Sequence, residues 1–267
     1  MKSWQATALN TAPDSENEIH SDKLAKEYGF KGGLVPGVTV SAYLLHPVIE
    51  SLGNSWLEKG YANCKITSPL YDGERFEVFS DPLSKSQINT HLVNQEGKII
   101  ANAESRLSEN LPKAPDYRGD ALVQENFQAP HASMAVWEKL KKKGCNAFKF
   151  HWNEENPLLY LSEEELLPEI LQPNKGGKAN LCFLLGCSNW ILAGNSYMNP
   201  WVHLQTKSQN FGSVSMNTIL IAEMSVEDFY EKKGHEFIDV KVNLFEDHSK
   251  LCLMSINLLA IFTLSGN

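Results

Sequence analysis

With 267 residues, 42% of them apolar and 21% charged, the chain has the make-up of an ordinary soluble globular protein, long enough for a sizeable core. A formal net charge of −8 argues against a broad basic footprint for nucleic acid. The five cysteines, Cys64, Cys145, Cys182, Cys187 and Cys252, are scattered and form no Cys-x-x-Cys, which fits thiols used as small apolar fillers in a reducing compartment.

The opening MKSWQATALN lacks the apolar core of a signal peptide. The longest apolar stretch, NLLAIFTL, is too short to span a bilayer. A cytoplasmic protein without membrane attachment is therefore expected. In VTVSAYLLHPVIESLGNSWLEKG, Val40, Leu44, Val48 and Leu52 recur every four residues, with Leu45 and Ile49 beside them. That is a wide apolar helix stripe. Pro36-Gly37 marks its start and Gly53 a stop, while Pro47 should kink it or open a new turn. Four strands follow. NCKITSPLY and RFEVFSD are joined by Asp72-Gly73, and INTHLVNQ and KIIANAESRL by a Gln-Glu-Gly turn.

From Leu107 to Pro130 the pattern lapses into a connecting segment with Pro112, Pro115 and Pro130. Lys139, Lys141, Lys142 and Lys143 beside Glu138 read as a solvated helix face. NAFKFHW is the next strand. SEEELLPEIL reads as a short helix start capped by Ser162, with Glu163, Glu164 and Glu165 as its solvated first turn. KANLCFLLGCSNWILAGN is a buried helix, and WVHLQTKSQNF, VSMNTILIAEMS, EFIDVKVNLFED and LCLMSINLLAIFTL are strands. The tetrads Gly53-Asn54-Ser55-Trp56 and Gly194-Asn195-Ser196-Tyr197 each end a helix. Each is followed by a strand and an aromatic corner, at Tyr71 or at Phe211. The matched order indicates a duplication of roughly 140 residues. The expected division is a first repeat over 1–107, a linker over 108–135 and a second repeat over 136–267, with an α+β architecture.

NEIHSDKLAKEYGFKGGLVPG carries the densest set of candidate functional residues. Asn17, Ile19, His20, Asp22, Ala25 and Gly37 follow in order. In this order, and with PLYDGERFEV behind it, the first half resembles the MaoC-like (R)-specific enoyl-CoA hydratase/dehydratase family. The second half is similar in architecture only. The resemblance implies a double hotdog fold, two repeats of a long central helix wrapped by a curved antiparallel sheet. It also implies a 2-enoyl or 3-hydroxyacyl thioester substrate, carried on CoA or on acyl carrier protein, with no cofactor and no metal. His20 and Gly37 would be catalytic, and Asn17, Ser15, Val35 and Tyr43 would face the substrate. The family's aspartate, five residues before the histidine, is Ser15 here, and its proline is Glu18. The acid/base pair is then either rebuilt from Asp14 or absent. A duplicated chain can mimic a two-chain hotdog, which leaves a further homodimer optional.

Adding water to a 2-enoyl thioester needs a base for the water, an acid for the α-carbon and a donor for the thioester oxygen. A free N–H at a helix start supplies the donor. Gly37 suits this role, or is simply a turn needing a small residue. His20 could equally cap the short helix SDKLAKEYG or bond a loop carbonyl. Asp22 reads as a helix N-terminal charge. His46 and His203 stand alone near apolar patterns and read as core or rim histidines. Tyr28, Phe30 and Tyr43 could line an acyl tunnel or pack the core. GFKGG does not follow a strand as a dinucleotide loop would, Ser41 lacks a nucleophile-elbow context, and no cluster has metal-ligand spacing. An acyl-binding module without catalysis, a thioesterase and an isomerase remain the competing readings.

Overall fold

The stripe from Val40 to Ile49 becomes one long helix buried on nearly every side, because strands enclose it and a second helix closes the remaining face. The computed structural model describes residues 2–155 and 157–264. Met1, Asn156 and residues 265–267, which include the outer ends of both expected repeats, lie outside the described residues.

In chain order the elements are β1 (Lys2–Thr7), α1 (Asp22–Ala25), α2 (Gly37–Lys59), β2 (Gly60–Ile66), β3 (Arg75–Pro82), β4 (Gln87–Asn94) and β5 (Ile99–Leu107). After the connecting segment come α3 (Met134–Lys143), β6 (Phe148–Trp152), α4 (Leu181–Asn195), β7 (Val202–Asn210), β8 (Thr218–Lys232), β9 (His235–Glu246) and β10 (Cys252–Thr263). The order strand, long helix, four strands thus occurs twice. Within the sheet the order β1-β3-β4-β5-β2 continues as β7-β10-β9-β8-β6, the same arrangement reflected about the β2–β7 junction. That junction is antiparallel, from Tyr61 opposite Gln209 to Lys65 opposite Gln205. It fuses the two repeats into one ten-stranded sheet.

α2 and α4 lie against each other, with Thr39 Oγ1 3.4 Å from Cys182 Sγ. One apolar cluster runs through both repeats, from Val40 and Leu45 to Ile191, Val242 and Leu258. Strands such as β3 and β4 alternate buried and accessible residues, as the period-two reading requires.

Three local expectations change. β2 and β3 do not form a hairpin: β2 pairs with β5 and β7, and β3 with β1 and β4. The Asp72-Gly73 corner turns back on the N-terminal segment instead, where Gly73 N donates to Ala8 O and Asn10 N to Asp72 Oδ1. Neither Pro47 nor Gly53 ends α2: the helix runs on to Lys59, and Gly53, expected as its stop, is a kink within it at a positive φ (φ 55°, ψ −143°) that glycine tolerates. SEEELLPEIL breaks into single 3₁₀ turns at Glu164–Leu166 and Glu169–Leu171, with Pro168 between them. The basic run lies on α3, where Lys142 pairs with Glu138 and Ser133 accepts from Val136 N as a cap. No described helix is long and apolar enough to cross a membrane.

Candidate active site

The segment from Ala8 to Gly37 is held by a small apolar cluster and a mesh of backbone bonds. Ile19, Ala25 and Leu34 are buried together, with Phe30, Tyr71 and Val202 against them. Leu34 N donates to Ile19 O at 2.8 Å, and Val35 N to Leu70 O at 2.9 Å. Asp22 Oδ1 accepts from Gly33 N at 2.8 Å, so this carboxylate holds the turn. Gly33 approaches the backbone so closely that a Cβ there would lie 2.6 Å from His20 O. Asn10 Nδ2 donates to that same oxygen at 2.8 Å.

These contacts fix His20 at the end of a 3₁₀ turn over Glu18–His20. Its Nδ1 lies 2.7 Å from Leu34 O. A carbonyl can only accept, so Nδ1 carries the proton and Nε2 keeps its lone pair. Asn17 Nδ2 stands 3.4 Å from that Nε2. Burial lowers the His20 pKa, and the bond to Leu34 opposes this only in part, so the ring is neutral at pH 7. Asn17 also grips the second repeat: Nδ2 donates to Trp201 O at 3.0 Å, and Oδ1 accepts from Trp201 N at 3.2 Å.

Two cavities meet at this point. One, of about 170 Å³, is bordered by His20, Val35, Gly37, Ile66, Leu70 and His203 among others. The other, of about 260 Å³, is bordered by Ser15, Glu16, Val38, Trp190 and Met198 among others. Asn17, His20, Asn189 and Trp201 border both. Residues from both repeats therefore form the walls, near the β2–β7 junction.

Gly37 opens α2, whose N-terminus has no side-chain cap. The first N–H groups of a helix have no intrahelical acceptor, so this end is a donor pair with a favourable dipole. The matching helix of the second repeat is closed off. Asn180 Oδ1 accepts from Phe183 N at 3.1 Å, and a leucine, Leu181, stands where α2 has Gly37. Of the two long helices described, α2 has the open start and α4 the capped one.

The expected site residues divide accordingly. His20, Asn17, Val35 and Gly37 come together around the first cavity. Ser15 borders the second; it is exposed, and its Oγ reaches Asn17 O at 3.4 Å. Asp14 is exposed and borders neither cavity, so it is not brought to His20. Tyr43 is fully buried away from both cavities, with its hydroxyl accepting from Leu9 N at 2.8 Å and its ring against Phe76. An inward-facing aromatic on a central helix packs the core, which corrects the expectation that it meets substrate. Of the aromatic tunnel candidates, Phe30 borders the first cavity, whereas the Tyr28 hydroxyl donates to Glu18 at 2.6 Å.

His203, expected as a core or rim histidine, borders the first cavity. Its Nδ1 lies 3.1 Å from Asn189 Oδ1, and its buried Nε2 has no hydrogen-bond partner among the described residues. Burial lowers its pKa to about 3. The ring packs against the start of α2: a Cβ on Gly37 would lie 2.7 Å from His203 Cγ. No local motif marks this residue, because its role depends on the pairing of distant strands.

No family model and no curated protein sequence matches this chain. Solved structures do match. A MaoC domain protein from Chloroflexus aurantiacus J-10-fl, provisionally described as a dehydratase, has a TM-score of 0.59 at 9% identity over 99% of this chain and 95% of its own. A conserved protein from Mycobacterium tuberculosis, described as a double hotdog fold, gives 0.58 at 9% identity over 97% and 95%. A provisionally described thioesterase from Novosphingobium aromaticivorans gives 0.50 at 11% identity over 86% and 88%. At such identities the likeness is one of fold: the chain is a double hotdog.

Proposed function

From this double hotdog with one open helix start, we propose a protein that acts on an acyl thioester at the His20–Gly37 cavity, adding water to a 2-enoyl thioester or removing it from a 3-hydroxyacyl thioester. The observation that carries the reading is the convergence of a neutral imidazole and an uncapped helix start on one cavity. The thioester oxygen is held at the Gly37 N–H, where an oxyanion gains most from an oriented donor. A water bound at His20 Nε2 attacks the β-carbon. One of its protons passes to Nε2, and the double-bond pair moves through the α-carbon onto the thioester oxygen. The imidazolium then returns the proton to the α-carbon, and the ring is neutral again. The balance needs no oxidant and no second substrate.

The MaoC domain protein of similar fold, provisionally described as a dehydratase, supports the hydratase reading, and the provisionally described thioesterase keeps hydrolysis in view. CoA and acyl carrier protein are both admissible carriers. Five free, buried thiols support a reducing, cytoplasmic setting. Loss of enoyl-thioester absorbance with crotonyl-CoA and a long-chain 2-enoyl-CoA tests the reading. The wild-type protein is expected to turn over at least one of them, and His20→Ala to lose about two orders of magnitude or more. Equal rates in the two proteins would sink it, and release of free CoA thiol would reassign the reaction to hydrolysis.

A second reading, an acyl-thioester binder without catalysis, is favoured by one observation. Ser15 stands at the family's aspartate position, and Asp14 borders neither cavity. It predicts thermal stabilisation by butyryl-CoA and crotonyl-CoA alike, without product.

A further inference from the structure

Resting on the hydratase reading, we propose that His203, oriented by Asn189, is a second catalytic residue, whose Nε2 accepts the other O–H of the attacking water and takes over the place of the carboxylate missing at Ser15. Four observations meet here. β7 of the second repeat delivers His203 to the cavity that His20 borders from the first. Its Nδ1 is 3.1 Å from Asn189 Oδ1, so the ring proton lies on Nδ1 and the lone pair on Nε2. That Nε2 is buried with no hydrogen-bond partner among the described residues. A buried acceptor without a donor is unfavourable, and under the proposal a small turn of the ring opens Nε2 to the adjoining cavity, where a water supplies the donor. Finally, the ring rests on the Gly37 end of α2, beside the proposed oxyanion donor.

The role is complementary to that of His20. Each histidine spends its Nδ1 proton on a fixed oxygen, Leu34 O for His20 and Asn189 Oδ1 for His203. Each thereby keeps a lone pair on Nε2; that of His20 faces Asn17 Nδ2 at 3.4 Å, a long contact that the water replaces. One water has two O–H bonds, and two acceptors hold both. As oxygen bonds to the β-carbon, the proton held by His20 leaves; the one held by His203 stays as the hydroxyl hydrogen of the product. Among the described residues bordering this cavity, His20 and His203 are the ionisable side chains. Among the described residues bordering the second cavity, the carboxylate is that of the exposed Glu16. It is the competing partner for His20.

The test compares the full-length wild type with His203→Leu, Asn189→Asp and Glu16→Gln, using crotonyl-CoA for turnover and butyryl-CoA for thermal stabilisation. His203→Leu is expected to lower kcat about 100-fold, with butyryl-CoA stabilisation retained. Asn189→Asp sets a carboxylate on Nδ1–H, which raises the basicity of His203. The acid limb of its kcat/KM profile should therefore move to higher pH, a shift that a packing role would not produce. Glu16→Gln should cost far less turnover than His203→Leu. Full activity in His203→Leu, an unmoved acid limb in Asn189→Asp, or a collapse of turnover confined to Glu16→Gln would each overturn the proposal while the hydratase reading stood. A wild type that hydrates neither crotonyl-CoA nor a long-chain 2-enoyl-CoA would overturn both.

Discussion

Acidification from pH 7.5 to 5.0 should weaken this fold through two histidines that the core keeps neutral. His46 on α2 is 1% exposed, stacks on Trp4 with ring centroids 3.9 Å apart and places Nδ1 3.0 Å from the Tyr160 hydroxyl. Its Nε2 is 3.4 Å from Glu50 Oε1, a contact that favours the charged ring. Glu50 is half exposed, so water screens that pull and burial prevails, lowering the His46 pKa to about 4. His203 is lowered to about 3 by burial alone. In the unfolded chain both rings titrate near 6.5. Between that value and the folded ones, the unfolded state holds protons that the native state lacks, so stability falls as pH falls. At pH 5.0 the loss relative to pH 7.5 is about 2 kcal/mol for each ring, or about 4 kcal/mol together. That is a large share of the ~5–15 kcal/mol by which such proteins are stable. Below the folded pKa values the loss stops growing. Urea unfolding at pH 7.5, 6.5 and 5.0 reads it directly: for a slope of about 3 kcal/mol/M, the midpoint drops by more than about 1 M. His20, also lowered, adds in the same direction. His46→Gln and His203→Leu should each flatten the pH dependence by about 2 kcal/mol, whatever they do to stability at pH 7.5. A midpoint that stays level between pH 7.5 and 5.0, or variants with the wild-type slope, would refute the reasoning.

Other changes have separate readouts. Gly37→Ala puts a methyl group 2.7 Å from both His203 Cγ and Ile66 Cδ1, so an overpacking loss of about 1–3 kcal/mol is expected, along with reduced crotonyl-CoA turnover. An unchanged melting temperature would count against the contact. Asn17→Leu strips the Trp201 backbone of both its donor and its acceptor partner, at about 1–3 kcal/mol for each group left buried and unpaired. Chemical denaturation measures it. Glu223, fully buried on β8, accepts from Arg118 N, Gly119 N and Asp120 N at 2.7–2.9 Å. Glu223→Ala should release the connecting segment and open the Arg118 bond to trypsin. Cleavage no faster than in wild type would show that the segment is held elsewhere.

The strands were legible because alternation is a local signal, and β3, β4, β5, β9 and β10 fall where alternating residues place them. The duplication was legible in the repeated order of elements, whereas of the two matched tetrads only the one at Gly194 ends its helix; the one at Gly53 lies inside α2. Strand partners were not legible. Asp72-Gly73 has hairpin chemistry, yet it serves a corner, because β2 finds better partners in β5 and β7 than in its neighbour in sequence. Part of the candidate site was legible for the same local reason: His20, Asn17 and Gly37 lie within one segment. His203 and Asn189 reach it only through a strand junction that joins residues more than a hundred positions apart, as between Cys64 and Thr206. No spacing rule reports such a meeting. Tyr43 was not legible, because an aromatic on a buried helix face looks alike in sequence whether it meets ligand or core.

The β2–β7 junction has a consequence for how the site depends on concentration. A hotdog assembled from two separate chains keeps a shared cavity only while the chains remain associated. Here the two walls are tied through the segment between β5 and α3, so the junction closes within one molecule at an effective concentration set by that tether. Dilution does not pull His203 away from His20. Specific activity should therefore stay level as the protein is diluted, while the second helix start is closed by its own cap, with Asn180 Oδ1 accepting from Phe183 N.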